Sequence, residues 1–246
     1  MSLTASDRTG LRVRDVLATP VTVLPALPGM AKTTWRYLTR TRPVMHHRRY
    51  DTRAPVPGLD PDRELPGDPS GVQRRGAGHG PVYHRTYVIE IEDARIGPEE
   101  LVNHLVVDLN RASPTEVARF ERLGPKRGRD VGAELCVQMP GPWGAPVRIV
   151  DRTATSFRFA TLSGHLEAGE IEFRAAWGKG GRLVFEIESW ARSADRLFHL
   201  LYHLLWLPRE MQMHMWVAVC LEAVRLAGGR PADRVLVTTH RHRGAH

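Results

Sequence analysis

Two neighbouring runs, "GEIEFRAAW" and "RLVFEIESW", constrain the fold most. In the first, Ile171, Phe173, Ala175 and Trp177 alternate with Glu170, Glu172 and Arg174. In the second, Leu183, Phe185 and Ile187 alternate with Glu186 and Glu188. A period of two means that one face of each run is buried while the other meets water. Gly178, Gly180 and Gly181 between them supply the backbone freedom of a hairpin turn. Strands of this kind belong to an antiparallel sheet, and its apolar face needs an apolar cover.

The remaining patterns say what that cover is. "YHRTYVIEIED" sets Tyr83, Tyr87, Ile89 and Ile91 against His84, Thr86, Glu90 and Glu92, as a half-buried strand does. "GAELCVQM", "PVRIVD" and "SFRFAT" read as further strands, which makes six with the hairpin. After the first strand, "GPEELVNHLVVDLNR" predicts a helix with Pro98 and acids in its first turn. "SPTEVARFERL" predicts a second short helix, capped by Ser113, with Glu116 three positions on. A long helix is expected from Ser193 to Ala227, punctuated by Pro208 and stopped by Gly228-Gly229. The fold class is therefore α+β. The expected arrangement is a helix-grip of the START and Bet v 1 class: a six-stranded curved antiparallel sheet wrapped around a long C-terminal helix, with two short helices after the first strand. Such wrapping often leaves a cavity between sheet and helix.

The 246 residues suit one such domain with extensions. Residues 1–81, rich in Pro and Gly, read as a basic arm and linker with a short helix near 32–41; residues 82–229 form the domain, and 230–246 a polar tail. The formal charge is +8, and no acid falls between Asp15 and Asp51, where Lys32, Arg36, Arg40, Arg42, Arg48 and Arg49 are gathered. That segment suits an anionic membrane surface. Trp35, Tyr37 and Leu38 equally suit a strap packed on the domain. No nucleic-acid motif accompanies the charge. An arginine-rich, lysine-poor composition is also what a GC-rich genome of actinobacterial kind produces. Cys136 and Cys220, each in an apolar context, exclude a disulfide framework and favour a reducing, cytoplasmic setting. The most apolar stretch, Leu197 to Leu207, is too short to span a bilayer.

Four segments together resemble one family: "TWRYLTRTRP", "GPVYHRTYVIEI", "FRFATLSGHLEAGEIEF" and "LPREMQMHMW" are similar to DUF1990 proteins. Ser163 and Leu166 stand where that family more often has proline. The resemblance covers about Trp35 to Gly228 and implies a family without an established biochemical role.

The candidate site centres on "TLSGHLEAGE". Thr161, His165, Glu167 and Glu170 bring a hydroxyl, an imidazole and carboxylates to the joint between two strands. A histidine near carboxylates can serve as a proton-transfer group, so His165 and Glu167 are the acid and base candidates of an enzyme reading, cyclase-like or hydrolase-like. Glycines that set the turn and carboxylates that cap backbone N–H groups explain the same residues. On the closing helix, His203, Trp206, Arg209, Gln212 and Met213 share the candidate cavity wall, with Phe173 from the sheet. His199 and His203 stand four apart, but no HExxH motif is present and neither metal nor cofactor is expected. The leading expectation is noncatalytic binding of a small, largely apolar molecule with a polar or anionic head, read by Arg209, Gln212 and His165.

Overall fold

The computed structural model describes residues 44–52, 70–115, 118–123, 130–138, 144–194 and 206–243, with backbone alone at Arg75 and residues 206–211. The expected helix near 32–41, the basic residues Lys32, Arg36, Arg40 and Arg42, and His199 and His203 lie outside them.

Among the described residues, ten strands form a single sheet: β1 (Met45–Thr52), β2 (His79–Glu92), β3 (Arg119–Leu123), β4 (Glu134–Gln138), β5 (Gly144–Arg152), β6 (Ser156–Thr161), β7 (Glu167–Trp177), β8 (Leu183–Ser193), β9 (Arg230–Pro231) and β10 (Val235–His242). Their order is β1-β10-β2-β8-β7-β6-β5-β4-β3, with β9 beside β2. Every pairing is antiparallel except that of β1 with β10. Among the described residues the α-helices are α1 (Pro98–Val107) and α2 (Trp206–Leu226).

The α+β class stands, and the expected count of six strands does not. Three of the added strands, β1, β9 and β10, lie beyond 82–229 in polar-rich segments. In β10, Val235, Val237 and Thr239 are buried while Leu236, Thr238 and His240 are partly exposed, which is the alternation of a half-buried strand. Its hydrogen bonds come from β2, in register from Leu236 opposite Val88 to His242 opposite Val82. β1, with His46, Arg48, Arg49 and Tyr50 exposed, is held by β10 on one side.

The predicted second helix is also replaced. Ser113 does not cap a helix; its hydroxyl donates to the Ala118 carbonyl at 2.9 Å. The Asn110 carboxamide then behaves as a strand partner, accepting from the Phe120 N–H at 2.7 Å and donating to the Phe120 carbonyl at 2.9 Å. Those bonds hold Arg119–Leu123 extended as β3, with Phe120 turned into the core.

The core lies between the sheet's inner face and the two helices. Tyr87, Phe157, Phe173, Phe185 and Ile187 from the sheet are fully buried, as are Val217, Val219, Cys220 and Ala223 from α2. Phe173 stacks on Phe157 at 4.7 Å and meets Trp216 edge-on at 5.5 Å. α2 stops at Gly228, whose φ of +67° is the left-handed conformation that glycine adopts without strain. The Gly229 N–H returns to the Val224 carbonyl and the Gly228 N–H to Arg225, which satisfies carbonyls that the helix end leaves open. α2 touches β2, β8, β9 and β10, whereas α1 covers β6 and β7 with Leu101, Val102, Leu105 and Val106.

Part of the expected linker is packed. Val72 bridges Leu162, the Gln73 N–H donates to the Thr161 carbonyl at 2.7 Å, and the Ser163 N–H donates to the Gly71 carbonyl at 2.8 Å.

Candidate functional site

Strand register explains why a cavity forms beside the core. One row across the sheet is large and apolar: Tyr87, Ile187, Phe173 and Phe157 stand side by side on β2, β8, β7 and β6. Two residues further, the same face presents Arg85, Ser189, Ile171 and Phe159. The next row presents Tyr83, Ala191 and Gly169. Side chains shrink from row to row on β7 and β8, so the sheet no longer fills the space up to α2. The result is a cavity of about 170 Å³. Phe120, Val137, Val147, Phe159 and Ile171 give it an apolar wall, closed by Met215 and Trp216 of α2. Its polar end carries Tyr83, Arg85, His165, Glu167, Ser189, Arg192 and Gln212.

Gly169 makes the close strand approach possible. A Cβ there would stand 1.9 Å from the Trp190 carbonyl oxygen and 2.7 Å from the Ala191 Cα. Beside it, Thr161 Oγ1 accepts from the Gly169 N–H at 3.0 Å and lies 3.1 Å from the Gln73 carbonyl. Thr161 thus fastens the joint.

The loop from Leu162 to Leu166 turns at Gly164, whose φ is +96°. Gln73 Nε2 braces its far side, donating to the carbonyls of His165 at 3.1 Å and Glu167 at 2.9 Å. The Glu167 N–H donates to His165 Nδ1 at 2.9 Å. A ring nitrogen that accepts carries no proton, so the neutral imidazole is protonated on Nε2. Burial holds the His165 pKa below its ordinary value, against the opposing pull of the Glu167 carboxylate.

That carboxylate is engaged by the helix. Gln212 Nε2 donates to Glu167 Oε2 at 2.9 Å, and Gln212 Oε1 accepts from Arg85 Nη1 at 3.2 Å. The Arg85 guanidinium, buried on the inner face, also lies 5.4 Å from the centre of the Tyr83 ring. One carboxamide therefore joins a cation on β2 to an anion at the start of β7. A row deeper, burial pushes the Tyr87 hydroxyl up to about 12, with Arg85 opposing.

Of the residues expected at the site, Thr161, His165, Glu167, Glu170 and Gln212 come together around this cavity. Glu170 Oε2 is also 3.5 Å from Arg158 Nη1. Phe173 and Met213 do not line it: both are buried in the core, and Met215 takes the wall position on α2. Trp206 and Arg209 lie in α2 with side chains outside the description, and His203 lies outside it altogether. Arg85 is a cation at the polar end that the sequence reading passed over. Its signal was parity, because Arg85 falls on the apolar side of the Tyr83–Ile91 alternation. Among the described residues, no three His, Cys, Asp or Glu side chains converge as a metal site would require, and no helix is long and apolar enough to cross a membrane.

On the outer face, Arg158 pairs with Glu172 at 2.9 Å, Arg174 with Glu186 at 2.7 Å and Glu188 at 2.6 Å, and His84 Nε2 with Glu188 at 2.7 Å. Glu172 and Arg174 belong to this ladder and not to the cavity.

Among curated proteins none matches this chain. Among solved structures it is similar to norcoclaurine synthase from Thalictrum flavum, at 13% identity over 64% of this chain and 91% of that one, with a TM-score of 0.45. The ginseng major latex-like protein 151 from Panax ginseng is 16% identical over 55% and 99%, with a TM-score of 0.37. The hypothetical protein jhp0584 from Helicobacter pylori is 6% identical over 58% and 86%, with a TM-score of 0.43. The model of the domain of unknown function DUF1990 matches residues 76–222, more than half of the chain, and the protein belongs to that family.

Proposed function

We propose that this protein binds a small, largely apolar molecule with a polar head in the cavity between the sheet and α2, without transforming it. The observation that carries the reading is the division of the cavity wall. Apolar side chains from β3 to β7 and α2 face one part of it, while the Arg85–Gln212–Glu167 chain and His165 face the other. A site of that composition orients a ligand by a few polar contacts and holds it by buried apolar area. Ligand binding here also gives a reason for the polar groups that the fold buries on its inner face.

An acid–base enzyme draws less support. The Glu167 carboxylate is held by Gln212, and His165 meets the backbone N–H of Glu167, not its carboxylate. A membrane role for β1 has only Arg48 and Arg49 among the described basic residues of that segment, and neighbours in a strand point to opposite faces.

Native mass spectrometry of the freshly purified full chain tests the reading. A bound small molecule is expected in the wild type, and its loss is expected in Ala191→Phe, which fills the cavity. Retention of the same adduct by an Ala191→Phe protein that still unfolds cooperatively would exclude this cavity as the site.

A further inference from the structure

We infer that the cavity selects a neutral, ring-sized molecule that offers a hydrogen-bond acceptor, such as a ketone carbonyl, to His165 Nε2. The inference rests on the cavity being a ligand site and names the class of ligand.

Size is the first constraint. The cavity measures about 170 Å³. An apolar protein cavity of roughly 150 Å³ accommodates benzene, and pockets for drug-sized ligands begin at roughly 300 Å³. One ring or a small fused pair fits, and an extended fatty chain does not. The wall agrees, because Phe120, Phe159 and Trp216 present aromatic surfaces.

Charge is the second constraint. Arg85 and Glu167 both line the cavity, carry opposite charges and are already joined through Gln212. Arg192 gives an N–H to the Gly80 carbonyl at 2.6 Å. An anionic head would meet Glu167 in that wall, and a cationic head would meet Arg85. A neutral head avoids both.

The third constraint is which polar groups remain available. Among the described residues, His165 Nε2 and Ser189 Oγ make no hydrogen bond with the protein, although both residues line the cavity. The bond from the Glu167 N–H to Nδ1 fixes the tautomer, so Nε2 stands as an N–H donor. Burial favours that neutral form. A fixed donor with no protein partner recognises an acceptor, and Ser189 lies beside Arg85 in the adjoining strand as a second contact.

The test compares three probes on the full chain by calorimetry and ligand-observed NMR: 1-indanone, its hydrocarbon counterpart indane, and palmitate. The ketone is expected to bind about tenfold more tightly than indane, the worth of one good hydrogen bond. His165→Ala should bring the ketone down to indane's level and leave indane unchanged, while His165→Gln, which keeps a donor, should recover part of the difference. Equal binding of ketone and hydrocarbon by the wild type, or preference for palmitate, overturns the inference but leaves the cavity as a binding site. A loss of both ring probes in a folded His165→Ala protein assigns the histidine a structural role and overturns it as well. If none of the three binds at millimolar concentration, the cavity reading falls and this inference with it. The wild-type ratio needs no variant, so a folding defect in His165→Ala does not remove the test.

Discussion

Gln212 of α2 donates to Glu167 of β7 at 2.9 Å, and this bond ties the helix to the strand where the candidate cavity is most polar. The other end of the carboxamide accepts from Arg85. Gln212→Leu therefore leaves a buried guanidinium and a partly buried carboxylate without their shared partner. A loss of about 1–3 kcal/mol is expected from breaking these two hydrogen bonds to charged groups, read as a lower urea midpoint at unchanged slope. Because the three residues act as one unit, Gln212→Leu and Glu167→Gln should be clearly non-additive in a double-mutant cycle. Additive losses would show that the bridge does not act as a unit.

Gly169 separates a steric requirement from a conformational one. Its substitution by alanine drives a methyl group into the Trp190 carbonyl, which is backbone and cannot swing away. Gly169→Ala should cost about 3 kcal/mol or more, and any folded protein should have a changed β7–β8 pairing in hydrogen exchange. Gly180→Ala supplies the contrast. Nothing lies within 4 Å of a Cβ there, and only its φ of +73° opposes a side chain, so about 1 kcal/mol is expected. Similar costs at the two positions would contradict the close approach.

Period-two alternation made the central strands and the hairpin legible, because each strand there has one dry and one wet face. β1 and β10 escaped because their residues are mostly polar and their partners distant in sequence: Tyr50 pairs with His240 and His240 with His84. β3 escaped for another reason, since Ser113 and Pro114 imitate a helix start and the Asn110 bonds that hold the extended form are invisible without the fold. The loop around His165 was recognisable as a candidate site, yet Gln73, its brace, sat in a segment read as linker. Phe173 and Met213 show the limit of facing: inward parity does not distinguish a core position from a cavity wall. That distinction depends on how large the neighbours across the strands are, as Ser189, Ala191 and Gly169 demonstrate.

Acid should weaken the fold before its carboxylates titrate. Burial lowers the pKa of His165, with the Glu167 carboxylate opposing, and burial together with His84 and His242 lowers that of His240. Both histidines therefore bind protons more readily in the unfolded chain, where their ordinary value is 6.5. Their contribution is complete above that value and is lost as pH falls through it toward the lower folded values. Glu188 acts further down: burial pushes it up, but hydrogen bonds from His84 and Arg174 outweigh that and hold it below 4.5. Urea midpoints should hence decline between pH 7 and 5, and His165→Gln or His240→Gln should each flatten the decline. A flat profile in the wild type would contradict both shifts.

Arg158 is the test of whether the outer ladder stabilises or only decorates. Its side chain is 8% exposed and sits 2.9 Å from Glu172 and 3.5 Å from Glu170, so removing it takes the near cation from two poorly hydrated carboxylates, with Arg174 left 3.8 Å from Glu172. Arg158→Met should cost about 3 kcal/mol, the lower end for breaking a buried pair, because the two glutamates keep some solvent. Arg225, 67% exposed in its pair with Glu222, should change stability by no more than about 0.5 kcal/mol on conversion to alanine. The decisive measurement is the double replacement Arg158→Met with Glu172→Leu. If the loss in the single variant comes from an uncompensated charge, removing the partner should restore most of it, since apolar side chains fill the same space without a desolvation cost. If the double variant is as unstable as the single one, the pair contributes geometry to the β6–β7 hairpin that methionine and leucine do not replace.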